Sequence, residues 1–124
     1  MKFEKLRTIL ELKKSVEAVI VSGSMEPLIK TGAKIKIQWI DDFSNLHRFD
    51  VLVFWDGNKL VCHYLLHRNR VMTENNEDVF TMRGLRSKGD DLPVAQSKIL
   101  GKVDVIIPWH IKLRETWKLM NFRK

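Results

Sequence analysis

Asp50-Val51-Leu52-Val53-Phe54-Trp55, Asp56-Gly57-Asn58 and Lys59-Leu60-Val61-Cys62-His63-Tyr64-Leu65-Leu66-His67 follow one another near the middle of the chain. After Asp50 the first run is continuously apolar, the pattern of a buried strand. The Asp-Gly-Asn triplet is turn chemistry, so the third run is expected to fold back on the first as a β-hairpin. Upstream, Lys34-Ile35-Lys36-Ile37-Gln38-Trp39 alternates polar and apolar residues, as a half-buried strand does. Glu17 to Val21 is a short β-prone run that ends at Ser22-Gly23, and the Pro27 to Gly32 region reads as a turn.

Downstream, Asn75-Asn76 is a further turn, Val79 to Met82 pairs after it, and Gly84 to Leu92 is a polar loop. Ile99 to Ile107 is expected as the last strand, with Gly101 marking a bulge and Pro108 ending it. Helical spacing appears only at the two ends. Phe3, Leu6, Ile9 and Leu10 recur between charges in residues 2–14. Ile111, Leu113, Trp117, Met120 and Phe122 form the apolar side of a second segment preceded by Trp109. The expected fold is mainly β: one compact antiparallel domain spanning 1–124, with an amphipathic helix in 1–16, a β core in 17–107 and a basic amphipathic helix in 109–124.

Composition narrows the function classes. At 124 residues, 44% hydrophobic and 30% charged, the chain suits a single globular domain. Its one cysteine, Cys62, cannot form an internal disulfide or a Cys-rich zinc site. No run approaches the length of a transmembrane helix, and Glu11, Lys13 and Lys14 interrupt any secretory leader pattern, so the expected location is cytoplasmic or peripheral to a membrane. The formal net charge of +7 favours an anionic partner.

The chemistry begins at Ser22-Gly23-Ser24-Met25-Glu26-Pro27. Gly23 permits a sharp bend and Pro27 stiffens the chain beyond it. Such a bend can expose the Ser24 hydroxyl as a nucleophile and aim its N–H at an oxyanion, with Ser22 as a second donor. The same residues also suit a serine capping a single helical turn, and on their own they leave both readings open. A serine nucleophile needs a base. His63 shares a strand face with the apolar Val61 and Leu65, while His67, on the same face by simple alternation, is its rival. Cys62 points the other way. Asp90 and Asp91, in Ser87-Lys88-Gly89-Asp90-Asp91-Leu92-Pro93, are carboxylates able to orient a base or to serve only as turn residues.

Taken in order, these pieces resemble the signal peptidase I and LexA-like superfamily of serine peptidases. Ser22-Gly23-Ser24-Met25-Glu26-Pro27 is similar to its Ser-Gly-Ser-Met-x-Pro box, and Phe49-Asp50-Val51-Leu52-Val53-Phe54 to its Gly-Asp-Val-Val-Val-Phe strand, with Phe49 in place of Gly. Leu60-Val61-Cys62-His63-Tyr64 resembles the base-bearing strand, Ser87-Lys88-Gly89-Asp90 the Thr-Lys-Gly-Asp box, and Ile99-Leu100-Gly101-Lys102-Val103 the closing strand. The resemblance runs from about Val19 to Val105. It implies Ser24 as nucleophile, His63 as general base in the manner of the archaeal and endoplasmic-reticulum branch, Ser22 and the Ser24 N–H as oxyanion donors, and Asp90 or Asp91 as support for His63. Tyr64 stands where the family usually has Arg.

The implied activity is cleavage of a leader or signal peptide from a precursor protein, with no metal or organic cofactor. The substrate would be an extended peptide laid along a strand edge. The basic terminal helices suggest an anionic membrane surface as a second partner. Two other classes stand beside this one. The first is a catalytically silent peptide- or protein-binding module of the same fold. The second is a nucleic-acid-binding domain, supported by charge alone.

Overall fold

A computed structural model describes residues 3–57, 59–70, 78–86 and 93–122. Its order is α1 (Phe3–Lys13), β1 (Ser15–Val19), β2 (Lys34–Gln38), β3 (Val51–Asp56), β4 (Lys59–Arg70), β5 (Asp78–Arg83), β6 (Val94–Ala95), β7 (Ile99–Val103) and α2 (Trp109–Phe122). Short 3-10 turns precede β3 and β7, at Phe43–Asn45 and Gln96–Lys98. The strands form one sheet in the order β1-β2-β7-β3-β4-β5-β6, with every pair antiparallel. The fold is therefore mainly β with a helix at each end, as the sequence pattern predicts.

The hairpin forms as expected. Val51 pairs with Tyr64 and Asp56 with Lys59, and Gly57 takes a φ of 65° at the turn, the left-handed region glycine adopts without strain. β7 enters between β2 and β3, so the last strand lies near the sheet's centre. It needs Gly101 there. A Cβ at that position would sit 2.5 Å from the Gln38 carbonyl oxygen and 2.7 Å from Ile37 Cγ2. The pairing of β7 with β3 slips between Val53 and Phe54 beside Gly101, the irregularity its glycine suggests. The strand ends sooner than expected, at Val103. Residues 104–107 leave the sheet instead of reaching Pro108 as a strand.

Two apolar cores line the two faces of the sheet. Val51, Val53, Cys62, Tyr64 and Leu66 join Ile35, Ile37, Val103, Leu10, Met25 and Ile111 in the larger. Leu52, Phe54, Leu65, Phe80, Met82 and Ile99 form the smaller. Each fully buried Leu or Val in these clusters contributes about 1.5–3 kcal/mol of transfer free energy. On β4 the alternation holds through Leu66 and then breaks. Leu65 pairs with Met82, but His67 pairs with Thr81. Met82 and Thr81 are adjacent on β5 and face opposite ways, and cross-strand partners share a face. The bulge therefore turns His67 away from the face that carries His63 and Leu65, contrary to simple alternation.

α1 lays Leu10 wholly into the larger core, with Leu6 packed beside it. α2 behaves differently. Of its expected apolar side, Ile111 is buried, whereas Leu113, Trp117 and Met120 are exposed, as is Trp109. The inward face is set by Glu115, which is 1% exposed and accepts a hydrogen bond from the Tyr64 hydroxyl at 3.1 Å. Lys118 Nζ lies 3.2 Å from its other oxygen. A buried carboxylate is tolerable only with such partners.

Two stability outcomes follow from these contacts. Gly101→Ala forces β2 and β7 apart and is expected to destabilise the fold by about 1–3 kcal/mol in urea unfolding. Tyr64→Phe withdraws a donor from a buried carboxylate and is expected to cost about 1–3 kcal/mol, with the far-UV circular dichroism spectrum unchanged. A Tyr64→Phe protein as stable as the parent contradicts the role assigned to that bond.

Candidate active site

Residues 20–33 connect β1 to β2 and carry Ser22 and Ser24. The loop is held by its own backbone: Ile20 N–H donates to the Ala33 carbonyl at 2.9 Å, Gly32 N–H to the Ile20 carbonyl at 2.7 Å, and Ile29 N–H to the Met25 carbonyl at 2.9 Å. Met25 and Ile29 are buried in the larger core and anchor the segment on the sheet. The Glu26-Pro27 peptide is cis. Glu26 folds back so closely that a Cβ at Gly23 would lie 2.6 Å from its Oε1, which is why glycine suits that position. The same Oε1 lies 3.1 Å from Arg86 Nη1. Arg86 N–H also donates to the Ser24 carbonyl at 3.0 Å. The serine loop is thus tied to the end of β5.

Ser24 is half-buried and Ser22 exposed. The Ser24 N–H, which the sequence reading aims at an oxyanion, donates to Ser22 Oγ at 3.2 Å. Capping of this turn therefore falls to Ser22, not to Ser24. The contact also marks a spot where an oxygen accepts from the Ser24 N–H.

His63 lies on β4 opposite Leu52 and is 7% exposed. Its ring meets Phe54 edge-on, with centroids 5.9 Å apart. The apolar surroundings expected from Val61 and Leu65 are present, since both belong to the smaller core along with Leu52 and Phe54. Cys62 faces the other way, toward the larger core. Burial pushes its thiol up to about 12, so it stays protonated at neutral pH and is no nucleophile.

Ser22, Ser24 and His63 line one open cleft with a volume of about 1160 Å³. Consecutive residues of β3 and β4 line it, from Val53 to Asp56 and from Lys59 to His63, so it reaches both faces of the hairpin. Val19, Ile20 and Val21 form another wall, and Pro93, Val94, Ala95 and Lys98 a third. His67 is not among the cleft's residues. Asp90 and Asp91 lie outside the described residues, as does the expected turn at Asn75-Asn76. Lys59 and Lys98 bring positive charge to the cleft, which the sequence reading did not assign. Both are exposed, and only the fold brings them to the cleft that Ser24 lines. Among the described residues, no three His, Cys, Asp or Glu side chains gather as a metal-binding group.

Two aromatic residues behind the site have structural roles of their own. Phe49, standing where the resemblance has Gly, takes a φ of 75°. A bulky residue there costs on the order of 1–3 kcal/mol. Its ring stacks on Tyr64 with centroids 5.3 Å apart, and Lys112 Nζ lies 5.8 Å from its centre, contacts that offset the strain. Tyr64 is also the donor to Glu115. In comparisons with known proteins, no protein family, no curated protein and no solved structure matches this chain.

The cysteine supplies a direct check on this geometry. Cys62 in the folded protein is expected to resist iodoacetamide at neutral pH and to react promptly once urea unfolds the chain. Rapid alkylation of the native thiol contradicts its placement in the core.

Proposed function

We propose that this chain is a serine endopeptidase of the signal-peptidase type, with Ser24 as nucleophile and His63 as general base. One observation carries the reading: Ser22, Ser24 and His63 line one cleft that wraps the β3–β4 hairpin, the serine loop anchored on the larger core and His63 on the smaller-core face. In the proposed cycle a His63 nitrogen takes the Ser24 hydroxyl proton as Oγ bonds to a peptide carbonyl carbon. The Ser24 N–H holds the resulting oxyanion once Ser22 Oγ gives up its place, and the Ser22 hydroxyl becomes the second donor. Collapse breaks the C–N bond, and His63 passes its proton to the leaving amine. Water, deprotonated by His63, then cleaves the acyl ester and restores Ser24.

The substrate side of the reading rests on topology. β1 is an edge strand, and its continuation through Val19, Ile20 and Val21 lines the cleft on the way to Ser24. Val19 and Val21 are 57% and 85% exposed, which leaves apolar surface for an extended peptide added along that edge. A precursor segment with small side chains before the cut suits such a site.

The bond from the Ser24 N–H to Ser22 favours one rival reading, a peptide-binding module of the same fold that does not cut. Digestion of a mixed peptide library, read by mass spectrometry, separates the two. The endopeptidase reading expects defined cleavage, lost by about 10³-fold or more in both Ser24→Ala and His63→Ala. Cleavage that survives Ser24→Ala overturns the assignment. Peptides retained intact by the parent protein, without products, establish the silent module.

A further inference from the structure

The outward face of α2 is apolar and exposed. Trp109, Leu113, Trp117 and Met120 are 73%, 61%, 67% and 67% exposed, and Ile106 just ahead of the helix is 82% exposed. At about 100° per residue, the four helical positions fall within an arc of about 80°. Ile111 and Glu115, the buried positions, point the opposite way. The stripe is therefore one continuous apolar band whose direction is fixed by the buried bond from Tyr64 to Glu115.

Charge follows the same geometry. Lys112 and Arg114 sit about 100° to either side of the stripe's centre, while Lys118 turns inward to Glu115. Tryptophan and other large apolar side chains flanked by cations match the boundary between headgroups and acyl chains. Lysine and arginine stems can lie along apolar surface while their heads reach lipid phosphates. The chain's net charge of +7 adds long-range attraction to an anionic surface. α1 is a different case: its apolar residues Leu6 and Leu10 pack on the sheet, and Leu12 stands out at 78% exposure.

We propose that α2 docks this protein on anionic lipid bilayers, with Trp109, Leu113, Trp117 and Met120 entering the interface and Lys112 and Arg114 meeting the headgroups at its flanks. The helix lies in the membrane plane and does not cross it. Among the described residues no helix is long and apolar enough to span a bilayer. Docking in this way also sets the cleft's position. Arg114 and Lys118 share a pocket of about 340 Å³ with Glu26, Pro27, Leu85 and Arg86, so α2 adjoins the loop that carries Ser24. That loop is held near the lipid surface, whatever chemistry Ser24 performs.

Co-sedimentation with phosphatidylcholine vesicles, with and without phosphatidylserine, tests the proposal on the intact chain. Binding is expected with the anionic lipid at low salt, weaker binding with phosphatidylcholine alone, and a blue shift of tryptophan emission on binding. Trp109→Ser combined with Trp117→Ser removes only exposed side chains, and it is expected to weaken binding by about tenfold or more while circular dichroism is unchanged. Absence of parent binding to anionic vesicles at low salt overturns the proposal. Undiminished binding by the double variant overturns it as well. So does a concentration-dependent dimer in sedimentation that the same two substitutions dissociate, because the stripe then belongs to a second copy of the chain.

Discussion

Strand β4 alternates between two environments, and much of the molecule follows from that alternation. Its odd-numbered residues through Leu65 join the smaller core, and this puts His63 beside Phe54 at the cleft. Its even-numbered residues through Leu66 join the larger core, and this buries Cys62 and turns Tyr64 toward α2. The Tyr64 hydroxyl then meets Glu115, and a carboxylate that deep in the protein fixes which side of α2 faces inward. The stripe of tryptophans on the far side is the geometric consequence. A one-residue slip of β4 would exchange His63 with Cys62 and disturb the cleft, the core and the outer surface of α2 together.

The bulge after Leu65 shows how the same strand limits its own chemistry. Without it His67 would share the face of His63, with Arg68 as its neighbour. The extra residue turns His67 over to Thr81's side of the sheet, and the cleft is left with His63. The serine loop is constrained from the opposite direction. Gly23 yields space to Glu26, Glu26 reaches Arg86, and Arg86 in turn binds the Ser24 carbonyl, so the bend is determined by its partners as well as by its own sequence.

Much of the fold was legible because short-range patterns dictate it. The Asp56-Gly57 turn between apolar runs specifies the hairpin, the alternation from Lys34 to Gln38 specifies a strand with one buried face, and the terminal periodicities specify helices. What escaped depends on distant neighbours. The two-residue β6 exists only because β5 offers it a partner. β7 ends at Val103, opposite Val51 at the start of β3, while β2 runs on past Ile37 to Lys34 beside β1. Helical periodicity in α2 reveals an apolar side without saying which way it turns, and the sequence gives no sign that a glutamate would take the inner position. At the site, a common location for Ser22, Ser24 and His63 was implied by the resemblance, not by their spacing. The hydrogen bond by which Ser22 occupies the Ser24 N–H, and the lysines that join the cleft, appear only in three dimensions.

Whether His63 acts as a base toward the side chain at position 24 can be tested without knowing the substrate. In a Cys62→Ala background, Ser24→Cys places a titratable thiol at the nucleophile position. If His63 serves that position, its imidazole favours the thiolate, and iodoacetamide modifies the thiol at neutral pH about tenfold or more faster than in the same protein carrying His63→Ala. Equal alkylation rates with and without His63 contradict the account.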